Sequence, residues 1–128
     1  MDMGEHDIRV IVTAGDADEI RRIVSGLADW LNAPPAVYSH LPIGENVRSH
    51  EFIQLRPINI RMTACKLSWD SRALVIRLHE TAGWKTKAVV SFVKPVVALS
   101  LSFAPFEIKT IRIEKSGRWR EVDMIEEQ

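Results

Sequence analysis

Apolar residues recur at three- and four-residue spacing only once in this chain. Beyond that stretch they alternate, or run in short β-branched segments between turn signals. The helical stretch contains Ile20, Ile23, Val24, Leu27, Ala28 and Leu31, which paint one face. Asp16, three residues before Glu19, resembles a capping box with Asp in the place of Ser or Thr, so the helix is expected to start there. Gly26 costs it about 1 kcal/mol relative to Ala. Asn32, followed by Pro34 and Pro35, ends it. Ahead of the helix, residues 8–12 (Ile-Arg-Val-Ile-Val) read as a short strand closed by Gly15.

Everything after the helix has the period of a sheet. Ile58, Ile60, Met62 and Ala64 alternate with Asn59, Arg61 and Thr63, which gives one apolar and one wet face. Trp69-Asp70-Ser71 reads as a turn. The next strand, residues 73–79, sends Leu74, Ile76 and Leu78 to the core and Arg77 and His79 away from it. Thr81-Ala82-Gly83 supplies another turn. Residues 88–93 and 96–103 are strands separated or bulged at Pro95, which has no N–H for a ladder bond. Phe106 and Ile108 share one face of the last long strand and are expected in the core, with Glu107 and Lys109 opposite. Ile111 and Ile113 fall in the other phase, which suggests a bulge or burial on both sides. Ser116-Gly117 turns the chain, and residues 118–125 close the sheet. The expected fold is mainly β: an antiparallel β-sandwich with one peripheral N-terminal α-helix, in a single domain over residues 1–128.

Charge narrows the partners. Seventeen Lys and Arg balance seventeen Asp and Glu. The densest basic stretch, Lys115, Arg118 and Arg120, is answered by Glu121, Asp123, Glu126 and Glu127, which argues against a nucleic-acid partner. The longest apolar run, residues 89–103, is broken by Lys94 and Pro95 and too short for a membrane span. A lone Cys65, expected as a buried and inert thiol, favours a reducing compartment. Residues 1–10 have no apolar core for a signal peptide, so the cytoplasm is the expected location.

Little in the chain reads as catalytic machinery. His6, His40, His50 and His79 form no short metal-binding spacing, although His40 and His50 flank one loop. There is no phosphate-binding glycine loop and no G-x-S-x-G elbow. Carboxylates are plentiful and glycosidic chemistry needs two at a suitable separation, but sequence alone does not pair Glu80 with Glu107 across a sheet, and charges on a solvated strand face are usually nothing more. Of the tryptophans, Trp30 is placed on the helix at the core or its margin, and Trp119 near the C-terminus. Trp69 and Trp84 adjoin turns, where an exposed ring could stack on a sugar; capping of the core is the commoner use of such rings.

Two stretches are more specific. Residues 74–83 (Leu-Val-Ile-Arg-Leu-His-Glu-Thr-Ala-Gly), preceded by Thr63-Ala64-Cys65-Lys66, and residues 105–110 (Pro-Phe-Glu-Ile-Lys-Thr) occur in an order that resembles the C-terminal β-sandwich region of the α-mannosidases of glycoside hydrolase family 38. That family shows an A-L-K-like strand, then R-L-x-E-x-x-G, then P-F-E-I-x-T. Ala28-Asp29-Trp30-Leu31-Asn32-Ala33-Pro34 is similar to its A-x-x-x-N-x-P element. Cys65 stands where Leu is usual and His79 where Tyr or a similar residue is usual, and the span from Gly83 to Pro105 is short, as though a strand pair were missing.

The resemblance implies motif positions at Lys66, Arg77, Glu80, Gly83, Pro105, Phe106, Glu107 and Thr110, all with structural roles. Arg77 would reach across the sheet, and Glu80 would accept hydrogen bonds from the turn that includes Thr81 and Gly83. Family members are retaining, zinc-dependent exo-α-mannosidases whose metal and aspartate nucleophile lie in a large N-terminal barrel. No stretch of this chain matches that barrel or its H-x-D element, so no catalytic residue and no cofactor carries over. Three readings follow: a non-catalytic accessory subunit or remnant of such an enzyme, with a barrel-bearing chain as partner; a carbohydrate-binding module using Trp69 or Trp84; or a hydrolase assembled across a homo-oligomer.

Overall fold

The structure, a computed structural model, describes residues 4–36 and 51–125. One helix and seven strands follow in order: α1 (Ala17–Asn32), β1 (Ile53–Arg56), β2 (Ile60–Leu67), β3 (Ala73–Glu80), β4 (Thr86–Phe92), β5 (Val97–Phe103), β6 (Ile108–Glu114) and β7 (Trp119–Val122). The strands form two antiparallel sheets, β1-β4-β5 and β2-β3-β6-β7. Their inner faces make one core. Ile60, Ile76, Leu78, Ile111 and Ile113 come from the larger sheet; Ala88, Val90, Phe92, Leu99, Leu101 and Phe103 come from the smaller. Each large side chain so buried contributes about 1.5–3 kcal/mol, and this apolar contact holds the two sheets together. The fold is therefore the mainly β, sandwich-like arrangement with one N-terminal helix that the period of the sequence predicts.

Three hairpins, β2–β3, β4–β5 and β6–β7, stay within a sheet. The three other connections cross from one sheet to the other, at residues 57–59, 81–85 and 104–107. Pro95 lies in the β4–β5 turn, so it separates two strands and does not bulge one. Gly117, at φ +84°, makes the β6–β7 turn, and β7 occupies only part of the 118–125 segment.

The helix begins where its cap predicts. Asp16 Oδ1 accepts hydrogen bonds from the N–H groups of Asp18 and Glu19, at 3.1 and 2.9 Å. None of its residues is fully buried. The apolar face is half covered, and Trp30, expected in or at the core, is mostly exposed.

Several local expectations are corrected. Residues 8–12 form no strand; Ile8, Val10 and Val12 are 81, 74 and 91% exposed, because no sheet edge pairs with them among the described residues. In β2 the register slips between Met62 and Ala64, so Thr63 is the extra residue of a bulge. Met62 opposes Leu78, but Ala64 opposes Arg77 and leaves the apolar face, which Cys65 and Leu67 take over. Since β2 is an edge strand that the smaller sheet does not fully cover, Cys65 is exposed and not a buried thiol. Asn59, expected on the wet face, is buried in a sheet crossing. Phe106 and Ile108 are not core: Phe106 belongs to the loop before β6, at φ +59°, and is 64% exposed, while Ile108 is half exposed.

Candidate functional site

The two motif stretches meet at one end of the sandwich, around Glu80. This side chain sits at the end of β3 and is wholly buried. Its Oε1 accepts from Asn59 Nδ2 (2.8 Å) and Ala82 N–H (2.9 Å). Its Oε2 accepts from the N–H groups of Gly83 (2.8 Å), Trp84 (3.1 Å) and Phe106 (3.0 Å). Those donors come from all three crossings between the sheets, so a single carboxylate ties together every point at which the chain changes sheet. Burial opposes ionisation, but the hydrogen bonds from Phe106, Asn59, Ala82 and Gly83 together outweigh it and hold the carboxyl below its ordinary range.

The neighbours complete the arrangement. Asn59 Nδ2 also donates to Thr86 Oγ1 at 2.8 Å, and the Asn59 carbonyl accepts from both the N–H and the hydroxyl of Thr81. Gly83 has φ +78°, and a Cβ there would lie 2.6 Å from Cζ of the Phe106 ring, so the E-x-x-G spacing is a requirement of this loop. Glu80 N–H donates to the Glu107 carbonyl at 3.0 Å, which fastens the second motif to the first.

The remaining motif residues are also committed. Arg77 reaches across the sheet: Nε donates to Thr110 Oγ1 at 3.5 Å and Nη2 to the Met124 carbonyl at 3.1 Å. Glu107 Oε2 accepts from Ala104 N–H at 2.7 Å and Oε1 pairs with Lys109 Nζ at 3.1 Å, contacts that lower its pKa against a smaller burial effect. Burial pulls the Lys109 pKa down, but Glu121 and Glu107 together raise it above its ordinary value. Pro105 is exposed beside this loop, and Lys66 lies on the far half of β2. Glu80 and Glu107 thus spend their acceptors on backbone N–H groups, the Asn59 amide and a lysine, not on an open cleft. Among the described residues no group of three or more His, Cys, Asp or Glu side chains is placed to hold a metal ion. His40 and His50 lie outside the described residues.

Trp69 and Trp84 flank opposite ends of β3, about 25 Å apart along an eight-residue strand. They cannot form one platform. Trp84 is half-buried beside Glu80, whereas Trp69 is 94% exposed and does not cap the core. It borders an open groove of about 560 Å³ with Lys66, Leu67, Asp70, Arg112 and Met124. Arg112 Nη2 pairs with Asp70 Oδ2 at 2.8 Å, and Ser68 Oγ donates to Asp70 Oδ1 at 2.6 Å. The Ser68 contact, followed by Arg112, drives the Asp70 carboxyl far below its ordinary range.

A second groove, of about 450 Å³, runs between α1 and the start of β2, lined by Ile23, Leu27, Trp30, Ile58 and Arg61. The helix is held there by Ser25 Oγ against Thr81 Oγ1 (3.1 Å) and by the Arg61–Asp29 ion pair. Sequence reasoning missed Asn59 and Thr86, whose partners lie 21 and 27 residues away, and no local signal marks either. No helix among the described residues is long and apolar enough to cross a membrane. Comparison of the chain with known protein families, characterised proteins and solved structures finds no match.

Proposed function

We propose that this chain is a non-catalytic domain related to the C-terminal β-sandwich of family 38 α-mannosidases. In this reading it is an accessory subunit, or the remnant of a larger enzyme, that completes the surface of a chain bearing the catalytic barrel. The observation that carries the reading is the uncovered apolar surface before β2: Ile8, Val10 and Val12, then Trp30, Ile58 and the groove between them and Arg61. Soluble monomers seldom leave such surface bare, and a covering partner removes it from water. The commitment of Glu80 and Glu107 to the fold supports a non-catalytic role.

The test is size-exclusion chromatography with light scattering, on the protein alone and after incubation with lysate of its source, followed by mass spectrometry. The expected result is co-elution of a larger chain that carries a barrel with an H-x-D metal element and releases aryl α-mannosides. Elution without any such chain overturns the accessory reading. It would leave sugar stacking on the exposed Trp69 as the alternative.

A further inference from the structure

Each sheet ends in two strands whose outer edges are open to pairing among the described residues: β1 and β5 in the smaller sheet, β2 and β7 in the larger. Proteins blunt such edges with short strands, charges, prolines or bulges, since unpaired N–H and C=O groups otherwise recruit another strand. Three of the four edges carry these devices. The β1 strand has four residues and runs into Arg56-Pro57. The β7 strand also has four, including Arg120 and Glu121. The β2 strand is bulged at Thr63, bears Arg61 and Lys66, and is pinned to α1 through Asp29.

The β5 strand itself has none of them; Pro95 and Pro105 lie two residues outside its ends. It is seven residues long and pairs with β4 in unbroken register. No charged residue lies between Lys94 and Glu107. The β6–β7 turn approaches only its beginning: a Cβ on Gly117 would lie 3.9 Å from the Val96 carbonyl and 4.0 Å from Val97 Cβ. Ala98, Ser100 and Ser102, which face outward from the core, are exposed.

The order of residues in β5 identifies what fits this edge. Val97-Ala98-Leu99-Ser100-Leu101-Ser102-Phe103 is a palindrome of type about Ser100: large apolar, small, Leu, Ser, Leu, small, large apolar. We propose that β5 is a self-pairing edge, and that two copies of this chain associate by antiparallel β5–β5 addition about a two-fold axis at Ser100. In that register Leu99 meets Leu101 of the second copy, Ala98 meets Ser102, Val97 meets Phe103, and Ser100 meets itself. Apolar residues continue the inner face across the junction and small ones continue the outer face. No like charges oppose one another, the usual obstacle to an isologous strand pair. The ladder would add about six to eight hydrogen bonds, depending on which alternate residues point outward. This inference stands apart from the accessory reading, because it concerns the purified chain and the edge opposite β1, away from the helix groove.

The experiment is light scattering on the purified full chain and on Ser100→Lys and Ser100→Glu variants, with thermal melts to establish that each folds. Wild type is expected at twice the 14.5 kDa of the chain. Each variant alone should fall to the mass of one chain with its melting transition retained, since two like charges then face each other at the axis. An equimolar mixture of the two variants should recover the doubled mass. If a Ser100 variant does not fold, the double variants Ala98→Lys/Ser102→Lys and Ala98→Glu/Ser102→Glu replace the pair, since residue 98 of one copy then faces a like charge at residue 102 of the other. A wild type that stays at single-chain mass to high micromolar concentration overturns the proposal. So does a dimer that survives both substitutions, or a mixture of folded variants that stays at the mass of one chain.

Discussion

Two regions of this molecule treat similar sequence signals in opposite ways. Residues 73–80 and residues 8–12 are both short, β-branched and punctuated by turn residues, yet the first is a central strand with two partners and the second has none among the described residues. What separates them is context: β-propensity describes fitness for a pleated, half-buried surface, and only a partner supplies that surface. Around Glu80 every crossing of the chain converges on one carboxylate, and among the described residues no buried side-chain polar atom lacks a partner. Along α1 no residue is fully buried, and the helix rests on a hydroxyl pair, an ion pair and a half-covered apolar face. One end is over-determined by bonds within the chain, and the other is under-determined until something covers it.

The sharpest way to break that contrast is Glu80→Gln. The amide keeps one acceptor but turns a donor toward N–H groups, so several buried donors lose their partner at once. We expect a loss of about 3–5 kcal/mol in urea unfolding, the scale of breaking a buried hydrogen-bonded charge. A loss below about 1 kcal/mol would mean that the crossings hold without the carboxylate. The pH dependence gives the same answer independently. The folded pKa of Glu80 lies below its ordinary value of 4.5, so its contribution is fully present above that pH and is lost as pH falls toward the folded value. The acid limb of the wild-type stability curve should therefore flatten in the Gln variant.

A smaller effect belongs to Gly83→Ala. Its positive φ costs an L-residue about 1 kcal/mol, and the new Cβ meets the Phe106 ring, so about 2 kcal/mol in total is expected. Made in a Phe106→Ala background, the same change should cost about half as much, because only the backbone strain remains. Equal costs in both backgrounds would show that the ring does not define this loop.

How much of this was legible depended on range. The Glu80 turn could be read because its donors Ala82, Gly83 and Trp84 are neighbours in sequence and an acidic side chain before a glycine turn has few other uses. Arg77 was legible too, since a strand arginine must point away from the core and find an acceptor nearby. Asn59 was not. In sequence it is one polar position in an alternating strand, and only the meeting of three crossings makes it an interior residue. The β2 bulge escaped for the same reason, because the register of an edge strand is set by its neighbour, and the expectation for Cys65 failed because that edge is not fully covered by the smaller sheet. Phe106 misled because alternation with Ile108 puts it on one face of a strand, whereas the structure places it in the loop before β6, with its N–H bonded to Glu80. Trp69 stands outside the core, 94% exposed in the turn between β2 and β3, which alternation cannot report.

The smallest effect tests the loosely held region directly. Asp16 caps α1 through two backbone N–H groups, and Asp16→Ala should cost the helix about 1 kcal/mol. If α1 opens separately from the sandwich, that cost is local: amide exchange in α1 should quicken about fivefold while the urea midpoint of the strands stays where it was. The link between helix and sheets is thin and includes the Ser25–Thr81 contact and the Arg61–Asp29 pair. A midpoint that falls in step with the helix would instead make helix and sheets one cooperative unit, and the Ser25–Thr81 contact would then join α1 to the Asn59–Glu80 network, erasing the contrast between the two regions.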